Sequence, residues 1–81
     1  MRLQYHPRIA SQLADAPQAI RRAFDRKVEL LAQNFQHPSL RAKKYDEAND
    51  IWQARVTLGW RFYFQIEGNT YTILSVTAHP K

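Results

Sequence analysis

The sequence predicts an α+β fold, in which an N-terminal helical hairpin packs on one face of a small, mainly antiparallel β-sheet. Apolar residues of the N-terminal half recur at the spacing of a helix with one buried face. After Asp50 the apolar period switches to two, which is the spacing of strands that bury one face. The chain has 81 residues, so we expect one domain that spans residues 1–81.

The N-terminal half predicts one short strand and two helices. Residues 2–5, RLQY, are assigned to the strand. Pro7 and Pro17 each suit the first turn of a helix, because proline lacks the N–H that this turn leaves unbonded. The first helix is expected to end near Ala14, and Pro38 stops the second. The second helix carries an apolar stripe of Ile20, Phe24, Val28, Leu31 and Phe35.

The C-terminal half predicts three strands that follow a polar connection. Residues 39–50 are polar and are assigned to a loop or a short helical turn. The strands are joined by a turn at Leu58–Gly59 and a hairpin loop at residues 67–70. The core face of the first two strands is expected to hold Trp52, Ala54, Val56, Trp60, Phe62, Phe64 and Ile66.

The length of the last hairpin loop decides which residues of the final strand face the core. A two-residue loop at Gly68–Asn69 would place Ile73 opposite Phe64 and turn His79 towards the helices. A three-residue loop that ends at Thr70, with a bulge, would place the even positions on the core face instead. Because the even positions are the more apolar set, we expect the bulged loop. The core face would then include Leu74, Val76 and Ala78.

The face of the sheet without helices collects residues that suit phosphate chemistry. Arg55 and Arg61 would lie on neighbouring strands, and guanidinium groups bind phosphate oxygens in a bidentate way. The alternatives are that these arginines pair with carboxylates, here Glu67 or Asp50, or are simply solvated. His79 would join this face as a general acid or base, unless it is a terminal residue without a task.

Other residues are candidates for binding a nucleic acid. Lys43, Lys44 and Arg41 form a basic cluster that can hold a phosphate backbone without reading sequence, unless nearby carboxylates neutralise it. Tyr63 can stack on a base or be an ordinary strand tyrosine. Gln53 shares the face of Tyr63.

The composition favours a polyanionic partner and limits the chemistry. The formal net charge is +5 and the isoelectric point is near 10. The chain has no cysteine, and its histidines lack metal-ligand spacing, so we expect no metal and no other cofactor. No apolar run is long enough to span a membrane and no signal peptide is visible, so we expect a cytoplasmic protein. One reaction still suits these residues, namely attack of an RNA 2′-hydroxyl on its own phosphate.

The order of segments in the C-terminal half resembles the RelE/ParE superfamily of toxin–antitoxin toxins. The segments are an L-x-x-K approach, IWQARV, GWRFYFQI, a turn, ILSV and a histidine. The resemblance implies a ribosome-dependent endoribonuclease (mRNA interferase) that cuts mRNA on the ribosome and inhibits translation. It also implies a cognate antitoxin, an acidic and partly disordered chain that folds as it binds the basic surface.

The resemblance also assigns roles to single residues. Arg61 matches the arginine after a glycine–aromatic pair that contacts the scissile phosphate. Arg55 and Gln53 occupy strand positions where the RelE branch carries lysines, and Gln53 departs from that pattern because it supplies no charge. His79 stands where a basic or histidine side chain ends the last strand. The residues implied to hold RNA are Lys43 and Lys44.

Two other functions stay open at the level of sequence. The ParE branch shares the scaffold and inhibits DNA gyrase without catalysis. An inactive relative would only bind an antitoxin. The sequence given ends at Lys81. The resemblance therefore leads us to expect that the C-terminal segment which supplies a catalytic tyrosine in some relatives is missing.

Overall fold

The fold of residues 2–78 consists of two α-helices, a short 3-10 helix and a five-stranded sheet. The computed structural model describes residues 2–78, so His79 lies outside the described residues. The predicted α+β class, the first strand and both helices are confirmed. The elements are β1 (Arg2–Tyr5), α1 (Arg8–Ala14), α2 (Gln18–Gln33), a short 3-10 helix (Pro38–Leu40), β2 (Lys43–Asp46), β3 (Ile51–Thr57), β4 (Trp60–Glu67) and β5 (Thr70–Ala78).

The sheet has the strand order β1-β5-β4-β3-β2. β1 is parallel to β5 and the other three pairs are antiparallel, which confirms a mainly antiparallel sheet. The assignment of residues 39–50 to a loop or helical turn is wrong for β2. β2 is an edge strand, and edge strands carry charged side chains that discourage further pairing. Its sequence KKYD therefore shows no apolar alternation.

The core lies between the helices and one face of the sheet. α1 packs on β5 and α2 packs on β3. Four stripe residues of α2 are buried, whereas Phe35 follows the end of that helix. Phe35 packs edge-on against Trp52, with 5.6 Å between the ring centroids. The predicted core face is confirmed, and its fully buried members are Ala54, Val56, Phe62 and Phe64.

The register of β5 differs from the prediction. Glu67 pairs with Thr70, so the β4–β5 loop has two residues rather than three, and Phe64 pairs with Ile73. A bulge then follows, because Tyr63 pairs with Ser75. The extra residue reverses which side chains face the core. The buried residues of β5 are accordingly Tyr71, Ile73 and Val76, whereas Leu74 and Ala78 are not buried.

The outer edge of the C-terminal half of β5 is covered by α1 rather than by another strand of the described chain. β1 pairs with β5 only from Thr70 to Ile73. Beyond that point the Val76 N–H donates a 2.8 Å hydrogen bond to Oε1 of Gln12 in α1. A buried N–H without a partner would be costly, so this side chain completes the edge of the sheet. Within residues 2–78, neither helix has the length and apolar content needed to cross a membrane.

Candidate nucleic-acid interface

A pocket of about 240 Å³ opens on the face of the sheet opposite the helices. We call it the cationic pocket. Three neighbouring strands build it, because Lys43 pairs with Gln53 and Arg55 pairs directly with Arg61. Residues that face each other across antiparallel strands bring their side chains within about 5 Å at Cβ. The pocket is lined by Arg41, Lys43, Gln53, Arg55 and Arg61.

No carboxylate of residues 2–78 forms an ion pair with a cation of the cationic pocket. Across residues 2–78 one ion pair is present, and it joins Lys44 to Asp50. The alternative that Arg55 or Arg61 pairs with Asp50 or Glu67 is therefore not realised in the described part of the chain. Four cations that converge without a carboxylate from the described residues create a strong local field that attracts an anion.

Part of the Arg55 guanidinium is buried in the wall of this pocket. Its Nε–H is buried and has no hydrogen-bond partner among the described residues. Burial lowers the pKa of Arg55 from its ordinary value, and repulsion from Arg41 and Arg61 lowers it further. Buried donors in folded proteins nearly always have a partner. An anionic oxygen in the pocket would supply one and would relieve the repulsion.

The β3–β4 turn holds Arg61 in place. One nitrogen of its guanidinium, Nη1, donates to three backbone carbonyl oxygens, at 2.6, 3.1 and 3.0 Å. The other N–H groups of the guanidinium remain available to a ligand. A fixed arginine loses less conformational freedom when it binds an anion. The three carbonyls belong to Thr57, Leu58 and Trp60.

The backbone places Arg41 at the entrance to β2. Its φ of 47° lies in the left-handed region, where side chains with a Cβ are disfavoured. Arg41 ends the 3-10 helix, and its side chain reaches the cationic pocket. Backbone strain of this kind often accompanies functional positions.

Gln53 and Tyr63 form the boundary of the cationic pocket. Gln53 is only 7% exposed, and its Nε2 donates a 3.1 Å hydrogen bond to the Tyr63 hydroxyl. The Tyr63 ring packs edge-on against Tyr45, with 4.9 Å between the centroids. Gln53 therefore acts first as a support for Tyr63, which explains how a neutral residue fits among cations.

The structure separates Lys44 from the other predicted RNA-binding residues. Lys44 follows Lys43 in an extended strand, so the two side chains point to opposite faces. The Lys44 ammonium lies 4.8 Å from the centroid of the Trp52 ring and pairs with Asp50. Lys43 lines the cationic pocket, and Lys44 does not.

Sequence reasoning missed Tyr45. This side chain is 60% exposed and contacts Tyr63 on the open face. It was missed because β2 was not predicted, and because Tyr45 is the bulged residue between the Lys44–Trp52 and Asp46–Ile51 pairs. His79 was predicted for this site and lies outside the described residues.

No protein-family model matches the sequence, and no curated protein matches it significantly. Solved structures do match. A chain of the archaeal RelE–RelB complex from Pyrococcus horikoshii OT3 is 18% identical, with a TM-score of 0.80 over 95% of this chain and 92% of that chain. A YoeB/ParE toxin from Agrobacterium tumefaciens is 10% identical, with a TM-score of 0.81 over 99% and 100%. The isolated RelE toxin of E. coli is 16% identical, with a TM-score of 0.76 over 99% and 85%. The chain therefore shares its fold with these RelE and YoeB/ParE toxin structures.

Proposed function

We propose that this protein is the toxin of a toxin–antitoxin system and cleaves mRNA on the ribosome as a metal-independent endoribonuclease. The observation that carries the proposal is the cationic pocket, in which the buried Nε–H of Arg55 has no hydrogen-bond partner within residues 2–78. A phosphodiester supplies both the charge and the oxygen atoms that this pocket needs. The likeness to RelE and YoeB structures supports the same function.

The proposed reaction uses the RNA as its own nucleophile. The 2′-oxygen attacks the adjacent phosphorus while its proton leaves to a base, and the bond from phosphorus to the 5′-oxygen breaks. The 5′-oxygen takes up a proton, so the products are a 2′,3′-cyclic phosphate and a 5′-hydroxyl. Arg55 and Arg61 stabilise the negative charge that develops on the phosphate oxygens. His79 stays the predicted residue for proton transfer.

The proposed partner is an antitoxin that covers the cationic pocket in resting cells. Similar solved structures include RelE–RelB and YoeB–YefM toxin–antitoxin complexes. An acidic, partly disordered chain would neutralise the four cations as it folds on the surface. We propose that the toxin and its antitoxin are cytoplasmic, and that the targets of the free toxin are the ribosome and its mRNA.

Expression in cells tests the proposal. The wild-type protein and the Arg55→Ala, Arg61→Ala and Arg22→Ala variants are induced, and mRNA cleavage and DNA supercoiling are both measured. We expect mRNA cleavage by the wild type and by Arg22→Ala, since Arg22 is exposed on α2, away from the pocket. We expect the Arg55 and Arg61 variants to lose it. Loss of supercoiling with intact mRNA would instead identify a gyrase inhibitor.

A further inference from the structure

A second groove, of about 420 Å³, lies beside the cationic pocket on the same face of the sheet. We call it the tyrosine groove. Tyr45 and Tyr63 form one wall, and the apolar side chains of Ile51 and Leu74 also line it. Leu74 reaches this face because it is the bulged residue of β5. The polar lining is provided by Arg8, Ser75 and Thr77.

The tyrosine groove and the cationic pocket share a boundary. Gln53 lines the pocket, Tyr63 lines the groove, and a 3.1 Å hydrogen bond joins the two side chains. Arg61 of the pocket pairs directly with Thr77 of the groove. Along β2, Lys43 and Tyr45 lie two residues apart, which is at most about 7 Å of extended chain, and Tyr45 is the bulged residue between the Lys44–Trp52 and Asp46–Ile51 pairs. A single nucleotide spans such a distance between its phosphate and its base.

The Tyr45 ring has a surface free for stacking. Its contact with Tyr63 is edge-on, at an interplanar angle of 63°, and the residue is 60% exposed. Exposed aromatic rings on open sheets stack with bases of single-stranded nucleic acids, and any base can take part because every base has a π-face. An acidic peptide would satisfy the cations but would leave this apolar wall without a partner.

We infer that the tyrosine groove binds the base of a nucleotide whose phosphate occupies the cationic pocket, with Tyr45 as the stacking residue. This inference rests on the proposed RNA-directed function and deepens it. It defines the ligand as an unpaired nucleotide, since a base in a duplex cannot also stack on Tyr45. Gln53 is then a positioning residue, because it fixes the Tyr63 ring that supports Tyr45.

Binding of a short single-stranded 2′-O-methyl oligonucleotide tests the inference without cleavage, because this ligand lacks the attacking hydroxyl. Its abasic counterpart of equal length carries the same backbone charge and no bases. We expect Tyr45→Ala to weaken oligonucleotide binding at least about five-fold, equivalent to about 1 kcal/mol, and to leave abasic binding unchanged. Tyr45→Phe should retain wild-type affinity. Tyr5→Ala is the matched control, because Tyr5 is a 50% exposed tyrosine on β1, outside both sites.

Three results would overturn the inference. The wild type could bind both ligands equally, Tyr45→Ala could weaken both equally, or Tyr45→Ala could weaken poly-glutamate as much as the oligonucleotide. The last result would identify a protein-binding surface. The thermal midpoint of each variant shows whether it remains folded. Purified protein and ligand are sufficient, so a failure of mRNA cleavage in cells would refute the proposed function without deciding these affinities.

Discussion

The two faces of the sheet differ in what they contribute, although they alternate residue by residue along the same strands. On β4, Phe62 is fully buried under the helices, and its neighbour Arg61 points into the cationic pocket. The covered face gains free energy by burying apolar surface. The open face collects like charges that oppose folding. Because alternate side chains of a strand point to opposite faces, one strand can stabilise the fold and bind a ligand through different residues.

A substitution on the covered face should cause the largest loss of stability. Phe62→Ala should lower the free energy of unfolding by about 3–5 kcal/mol, because it leaves a cavity in a close-packed core. The Phe62 ring packs edge-on against Phe24, with 5.7 Å between the centroids. Urea denaturation measures the change. A loss below about 1 kcal/mol would show that this face does not carry the stability of the fold.

The opposite pattern is expected for Arg55. Arg55→Met should lower the rate of mRNA cleavage by about 100-fold, the effect of removing one preorganised donor from a developing charge. The same variant should be at least as stable as the wild type. It removes a buried N–H that has no hydrogen-bond partner within residues 2–78, and it removes the charge repulsion with Arg41 and Arg61. Ribosome-dependent cleavage and urea denaturation are measured together. A marked loss of stability would mean that Arg55 is part of the folding core.

The hydrogen bond between Gln12 of α1 and Val76 of β5, at the edge of the sheet, should affect stability but not binding. Gln12→Ala should cost about 1–3 kcal/mol of stability, because the N–H of the buried Val76 loses its partner. Oligonucleotide affinity should stay unchanged, since Gln12 lines neither the cationic pocket nor the tyrosine groove. Gln18→Ala, at an exposed position in α2, is the control. Equal stability of the two variants would contradict the role of Gln12.

The smallest difference in oligonucleotide affinity is expected between variants of two adjacent lysines, Lys43 and Lys44. Lys43→Ala should weaken oligonucleotide binding and lower its salt dependence, because it removes a cation from the pocket. Lys44→Ala should leave binding unchanged and reduce stability by at most about 1 kcal/mol, because it removes an exposed ion pair and a contact with Trp52. Titration of both variants with the 2′-O-methyl oligonucleotide measures the difference. Equal losses of affinity would mean that the two side chains serve the same face.

Much of the fold follows from sequence periodicity. The stripe of α2 and the alternation in β3 and β4 identify the buried residues, because burial itself imposes the period. β2 could not be predicted this way, since only pairing with β3 makes its polar residues a strand. The bulge at Leu74 could not be located either, because the parity of β5 changes within the strand and both parities contain apolar residues.

Part of the candidate site follows from the same reasoning. Alternation predicted that Arg55 and Arg61 share the open face, and the structure brings them together. The sequence predicts one basic cluster for the adjacent Lys43 and Lys44. In the structure the Lys44 side chain lies on the other face of β2, against Trp52. The support that Gln53 gives to Tyr63 depends on side-chain geometry across two strands, which no local pattern contains.

The salt dependence of oligonucleotide binding shows whether an anion site lies on the open face of the sheet. Each phosphate neutralised on a single strand contributes about 0.7 to the slope of log affinity against log salt concentration. We predict that Arg55→Ala/Arg61→Ala lowers the magnitude of the slope by about 0.7, the contribution of the one phosphate in the cationic pocket. We expect no change for Arg22→Ala/Arg26→Ala, which removes the same charge from the exposed side of α2. An unchanged slope in the first variant, or an equal loss in the second, would contradict an anion site on the open face.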